Sequence, residues 1–154
     1  MRYEWGRDHA LLRDGETVGT AEKSWWRERA TVSTDAGTWS FRALGWKRLM
    51  ITGPDGIERL GAVRTGWLSE VWTVTGEHGT YEVRPAGILS SRLVVRRAGA
   101  EVGRLTPARW WTDRPALELS TELSLGDAVL LLWVGYVIRQ RTTAAGSGGA
   151  TAAV

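Results

Sequence analysis

Cysteine is absent from this 154-residue chain. Its absence excludes disulfides, a thiolate nucleophile, Cys-ligated metal and lipid attachment through sulfur. Histidine is scarce: His78 sits in the turn-like "GEHG", and His9 lies in the first strand segment with no neighbour of metal-ligand type, so neither predicts a metal centre. Lysine is nearly missing as well. Lys23 and Lys47 are the only two, and arginine supplies the rest of the 20 basic residues. That usage fits either a GC-rich coding bias or planar, bidentate recognition of carboxylate and phosphate. The formal charge is only +3 and the signs are interspersed along the chain, so charge gives no reason to expect nucleic acid as a partner.

Long apolar runs are lacking too. The longest, Ala128 to Ile138, falls well short of the about 20 residues needed to span a bilayer. The N-terminal "MRYEWGRDHALLRDG" has charges throughout and no apolar h-region, which predicts no secretory signal and a cytoplasmic protein. No phosphate-binding loop, nucleophile elbow or dinucleotide fingerprint stands between a strand and a helix. No pair of carboxylates is placed for acid–base work, since the acidic residues occupy turns or outward strand positions. The chain is therefore expected to be non-enzymatic and to need no cofactor or metal.

What is present is a repeat. Asp14-Gly15, Asp55-Gly56 and Ala98-Gly99 recur, each followed by an apolar-Gly pair: Val18-Gly19, Leu60-Gly61 and Val102-Gly103. The period is about 42 residues. Trp25, Trp67 and Trp110 follow at matching places, and this recurrence predicts packing positions over a ligand site. "GTWSFRALG" (Gly37 to Gly45) returns as "GTYEVRPAG" (Gly79 to Gly87), with "PALELS" (Pro115 to Ser120) read as a shorter third copy. Glycine in the first turn supplies the positive φ that tight hairpins demand. Within the strands Trp39 and Phe41 alternate with Ser40 and Arg42, and Tyr81 and Val83 with Glu82 and Arg84. Trp39, Phe41, Tyr81, Val83, Leu117 and Leu119 are thus predicted to face inward. Three units of about four strands make about twelve antiparallel strands, and closing them into a barrel removes exposed edges.

The segment "SLGDAVLLLWVGYVIRQR" breaks this pattern because it is apolar on every face. A helix of that kind is one surrounded by protein. Ser124 and Asp127 form a capping-box-like start, and Arg139 and Arg141 suit the negative end of the helix dipole. A barrel of about twelve strands has a lumen wider than its own side chains fill, and a helix about 10–12 Å across is a fitting plug. The expected organisation is one domain, residues 1–141, mainly β: a closed antiparallel barrel enclosing a hydrophobic C-terminal α-helix at 125–141. A flexible tail of small residues at 142–154 is expected to follow.

Repeated hairpins followed by an apolar C-terminal helix resemble the tubby-like superfamily, which includes the tubby C-terminal domain, phospholipid scramblases and LURP-one-related proteins. The resemblance lies in the D-G turns, in "GTWSFRALG" and in "AVLLLWVGYVI", and covers Arg2 to about Arg141. It implies a twelve-stranded barrel around the helix and a lipid-facing role, and no binding motif of the family is matched residue by residue. The expected function is non-catalytic, peripheral binding of anionic phospholipid headgroups at the inner membrane face. Arg27, Arg29, Arg42, Arg84, Arg96 and Arg97 are the candidate headgroup ligands, although Glu28, Glu82 and Glu101 are close enough in sequence to pair with them. The alternative is a scaffold barrel for an unknown protein partner, using the tail.

Overall fold

The computed structural model describes residues 1–22, 28–66, 70–88, 90–107 and 114–152, with side chains of the last segment described to Thr142. Twelve strands form a closed barrel in which every strand pairs antiparallel with its neighbour in sequence and β1 closes onto β12. The first unit comprises β1 (Arg2–Trp5), β2 (Ala10–Arg13), β3 (Glu16–Ala21) and β4 (Arg29–Thr34). The second comprises β5 (Gly37–Leu44), β6 (Arg48–Thr52), β7 (Glu58–Arg64) and β8 (Trp72–Thr75). The third comprises β9 (Thr80–Pro85), β10 (Leu93–Arg97), β11 (Ala100–Pro107) and β12 (Pro115–Leu119). A single helix, α1 (Leu125–Ala152), follows.

The repeated apolar-Gly pair has a structural cause. Leu11 faces Gly19 but Leu12 faces Thr17, so one residue of β3 is extra; β7 and β11 carry the same bulge, between Ala62 and Leu60 and between Gly103 and Glu101. Each bulge sharpens the local twist that a closed barrel needs. A methyl group on Gly19 would lie 2.6 Å from the Ser33 carbonyl oxygen, and one on Gly103 2.7 Å from that of Glu118, so no larger residue fits there.

All six residues expected to line the barrel are buried, with none more than 7% exposed. The core helix is enclosed from several sides. Phe41 of β5 stacks on Trp133 with ring centroids 5.0 Å apart, a methyl on Gly61 of β7 would meet Leu130 at 3.3 Å, and Leu105 of β11 lies against Gly135. Every residue from Gly126 to Ile138 is buried. The all-round apolar pattern is thus explained by a wall on all sides.

Several details differ from the sequence reading. "PALELS" is not a third copy of the β5 and β9 segment: as β12 it ends its unit, as β4 and β8 end theirs. His9 belongs to a 3-10 turn, Arg7–His9, between β1 and β2. The helical backbone does not stop near Arg141 but runs to Ala152. Trp25, Trp67 and Trp110 lie outside the described residues.

Candidate functional site

Antiparallel order sorts the connections to two ends of the barrel. Tight turns, at 14–15, 35–36, 53–57, 76–79 and 98–99, gather at the end where α1 starts. Asp14, Asp35, Asp55 and Glu77 place an acidic residue in each of four of them. The other connections gather where α1 emerges, and this end is basic on balance, with exposed Arg7, Arg29, Lys47, Arg48 and Arg92 against exposed Asp8 and Glu22.

Asp127 locks the acidic end. It is 1% exposed, the one charged residue counted as buried among those described. Its backbone N–H donates to Ser124 Oγ (3.2 Å), the expected cap. Its carboxylate turns instead to the β8–β9 turn, accepting from Glu77 N (2.7 Å), His78 N (3.3 Å) and Tyr81 Oη (2.7 Å). Burial, and then the bond to this carboxylate, push the Tyr81 hydroxyl well above the usual phenol range. The β8–β9 turn passes so close that a methyl on Gly76 would lie 2.3 Å from Asp127 Oδ1. These contacts occupy both oxygens of the carboxylate.

The basic end carries the exposed apolar groups. Trp46, in the turn between β5 and β6, is 73% exposed, and Ile88, between β9 and β10, is 103% exposed. Buried tryptophans elsewhere (Trp5, Trp39, Trp72 and Trp133, none above 8%) mark Trp46 as the exception among those described. Behind it, Arg141 clamps the emerging helix. Its guanidinium lies 5.2 Å from the Trp46 ring centroid and 5.7 Å from that of Trp72. It donates to the Glu28 carboxylate (2.7 and 3.1 Å) and to the carbonyls of Trp46 (2.7 Å) and Gly45 (3.1 Å). An open cavity of about 300 Å3 is lined by Trp46, Arg64, Glu70, Trp72 and Arg141.

The six arginines singled out from the sequence do not assemble into one patch. Arg27 lies outside the described residues. Arg29 and Arg42 face each other across β4 and β5, but Arg42 forms a two-pronged ion pair with Glu58 at 2.6 Å, which holds the Glu58 carboxyl below its usual range. Arg84 is paired with Glu82 at 2.8 Å, and Arg96 sits opposite Glu82 and Glu101. Arg97 belongs to the acidic end, donating to the His78 carbonyl (2.9 Å) above the Tyr81 ring. Paired glutamates therefore occupy Arg42 and Arg84. The residues that do share an end with Arg29 were not singled out: Trp46, Lys47, Arg48 and Ile88. The "GWKR" stretch held the available signal, an aromatic beside two cations in a turn.

Among the described residues no cluster of His, Cys, Asp or Glu could hold a metal ion, and no helix is long and apolar enough to cross a membrane. The outward strand positions include Glu58, Glu82, Arg84, Arg104 and Glu118, unlike the apolar outer band of a membrane-spanning barrel. Comparison with family models, with curated proteins and with solved structures yields no match.

Proposed function

We propose that this protein is a non-catalytic, peripheral binder of anionic phospholipid, resting on a cytoplasmic membrane face through the basic end of its barrel. The observation that carries the reading is Trp46, exposed and followed directly by Lys47 and Arg48, with Ile88 at the same end and the acidic turns at the other. A polarised barrel of this kind orients itself over a negative surface. Each basic residue near such a surface contributes about 1 kcal/mol, and burying Ile88 about 1.5–3 kcal/mol. Arg29, Lys47, Arg48 and Arg92 together with the two apolar tips thus support an affinity between millimolar and micromolar. The stretch 142–154 carries no charged side chain. Membership of the tubby-like superfamily is part of the same proposal, supported by twelve strands closed around a hydrophobic C-terminal helix.

Flotation with neutral vesicles and with vesicles rich in phosphatidylserine, at low and high salt, tests the reading. Association with the anionic vesicles at low salt, weakened by high salt and by Trp46→Ala with Lys47→Glu, is the expected result. Equal association with neutral vesicles, or none at low salt, would overturn it. The scaffold reading draws on α1 running beyond the barrel to Ala152. A pull-down with and without residues 142–154 separates the two, because only a tail-mediated protein partner depends on that segment.

A further inference from the structure

A second cavity, of about 280 Å3, opens at the basic end between the β9–β10 connection and the last buried turn of α1. Leu93 and Ile138 supply apolar surface, Ile88 and Ser91 border it, and Arg139 lines it. Two features set it apart. Ile88 stands uncovered beside this surface, although an exposed apolar group next to an apolar cavity is a feature of binding sites more than of solvated walls. Three arginine Nε atoms are buried without a hydrogen-bond partner among the described residues; Arg64 and Arg84 have a glutamate within ion-pair distance, and Arg139 has none, whereas Arg141, two residues on, is bonded to three residues. The one carboxylate at the cavity, Glu70, is already engaged, by Arg64 at 3.2 Å and by Trp72 Nε1 at 3.2 Å. A buried donor without an acceptor costs free energy until one arrives.

We infer that this cavity binds a single-chain anionic amphiphile, its carboxylate or phosphate head against Arg139 and its alkyl chain along Leu93, Ile138 and Ile88. The planar guanidinium suits either head group through paired hydrogen bonds. The volume falls just below the usual range of ligand pockets, about 300–1,000 Å3, which suits one chain and not two. The inference shares a barrel end and Ile88 with the membrane reading, but its head-group contact is Arg139 and not Trp46, Lys47 or Arg48, so variants at those residues separate the two.

Titration calorimetry with decanoate below its micellar concentration tests it, with decylammonium as the oppositely charged control. Decanoate is expected to bind saturably and decylammonium not at all. Arg139→Gln is expected to weaken decanoate at least about tenfold, the loss of one charge-assisted contact. Ser91→Trp, at an exposed rim position, is expected to block binding while leaving the melting temperature unchanged. Non-saturable uptake, equal binding of both chains, or indifference to both variants would overturn the inference. Trp46→Ala with Lys47→Glu should abolish vesicle flotation and spare decanoate. Failure of decanoate with flotation intact rejects the cavity alone, and the reverse rejects the membrane reading alone. If decanoate fails to bind but Arg139→Gln diminishes flotation, the head group comes from a bilayer lipid and the free amphiphile is ruled out.

Discussion

Asp127→Ala removes the single carboxylate that ties the start of α1 to the β8–β9 turn. Three donors lose their acceptor, and they are not equal. The Tyr81 hydroxyl is buried with its residue at 2% exposure, so its charge-assisted bond is worth about 1.5–3 kcal/mol. The Glu77 and His78 amides belong to exposed residues where water can replace the carboxylate, so each contributes about 0.5–1.5 kcal/mol. The simple sum reaches about 6 kcal/mol at its upper end. The desolvation cost of the carboxylate vanishes with it, however, so the expected loss is about 3 kcal/mol. That is a large fraction of the about 5–15 kcal/mol that holds a typical domain together.

Denaturant unfolding followed by circular dichroism measures this, provided the slope with denaturant stays constant. Asp127→Asn keeps an oxygen for the turn but puts an amide NH2 against a second donor, so it should lose about half as much. The sharper assay is the double-mutant cycle with Tyr81→Phe. In the parent Tyr81→Phe should cost about 1.5–3 kcal/mol; in the Asp127→Ala background, where the hydroxyl has no acceptor, it should cost nothing or stabilise. Equal cost in both backgrounds would refute the account of this lock, as would an Asp127→Ala variant within about 1 kcal/mol of the parent.

Three further outcomes are expected. Because the Tyr81 hydroxyl is held protonated by burial and by Asp127, while an unfolded tyrosine ionises near pH ~10, its stabilisation is intact below about pH 10 and lost above it. Unfolding titrations should therefore show the parent weakening above that pH by up to about 1.4 kcal/mol per unit more than Tyr81→Phe, and parallel profiles would dismiss the idea. Gly135→Ala gains about 1 kcal/mol of helix propensity but sets a methyl 2.9 Å from Leu105 Cδ1 inside the lumen, which costs about 1–3 kcal/mol; a thermal melt above the parent's would mean that this face is loosely enclosed. Ala98 adopts φ +50° in a two-residue turn whose counterpart in the first unit, Asp14, has φ +49°, so Ala98→Asn should recover part of a left-handed strain of about 1–2 kcal/mol and raise the melting temperature by about 2–4 °C, whereas an unchanged or lower melt would show that the turn relaxes.

How far the fold was legible follows from what a sequence repeat encodes. Asp-Gly turns, alternating strands and a helix apolar on all sides are local signatures, and each turned out to be where its physics puts it. The bulges coincide with the repeated apolar-Gly pairs, but what demands glycine at Gly19, a backbone oxygen 2.6 Å from where a side chain would begin, belongs to a neighbouring strand and leaves no local trace. The same holds for Asp127. Its backbone cap to Ser124 was readable at a spacing of three, whereas its carboxylate goes to a turn some fifty residues away, brought near only by barrel closure. The candidate site was least legible because the repeat draws attention to positions that the barrel sets apart on its wall. Equivalent positions in a three-unit barrel stand four strands apart, so Arg42 on β5 and Arg84 on β9 are separated by a third of the circumference. Recurrence marks what every unit needs for packing and, by the same geometry, spreads it around the wall. A binding site has to be sought among residues that the repeat does not relate. Trp46 is such a residue, since Trp5, at the matching distance before its own turn glycine, is buried in β1. Ile88, Lys47 and Arg139 likewise meet at one end because the strand connections and α1 deliver them there.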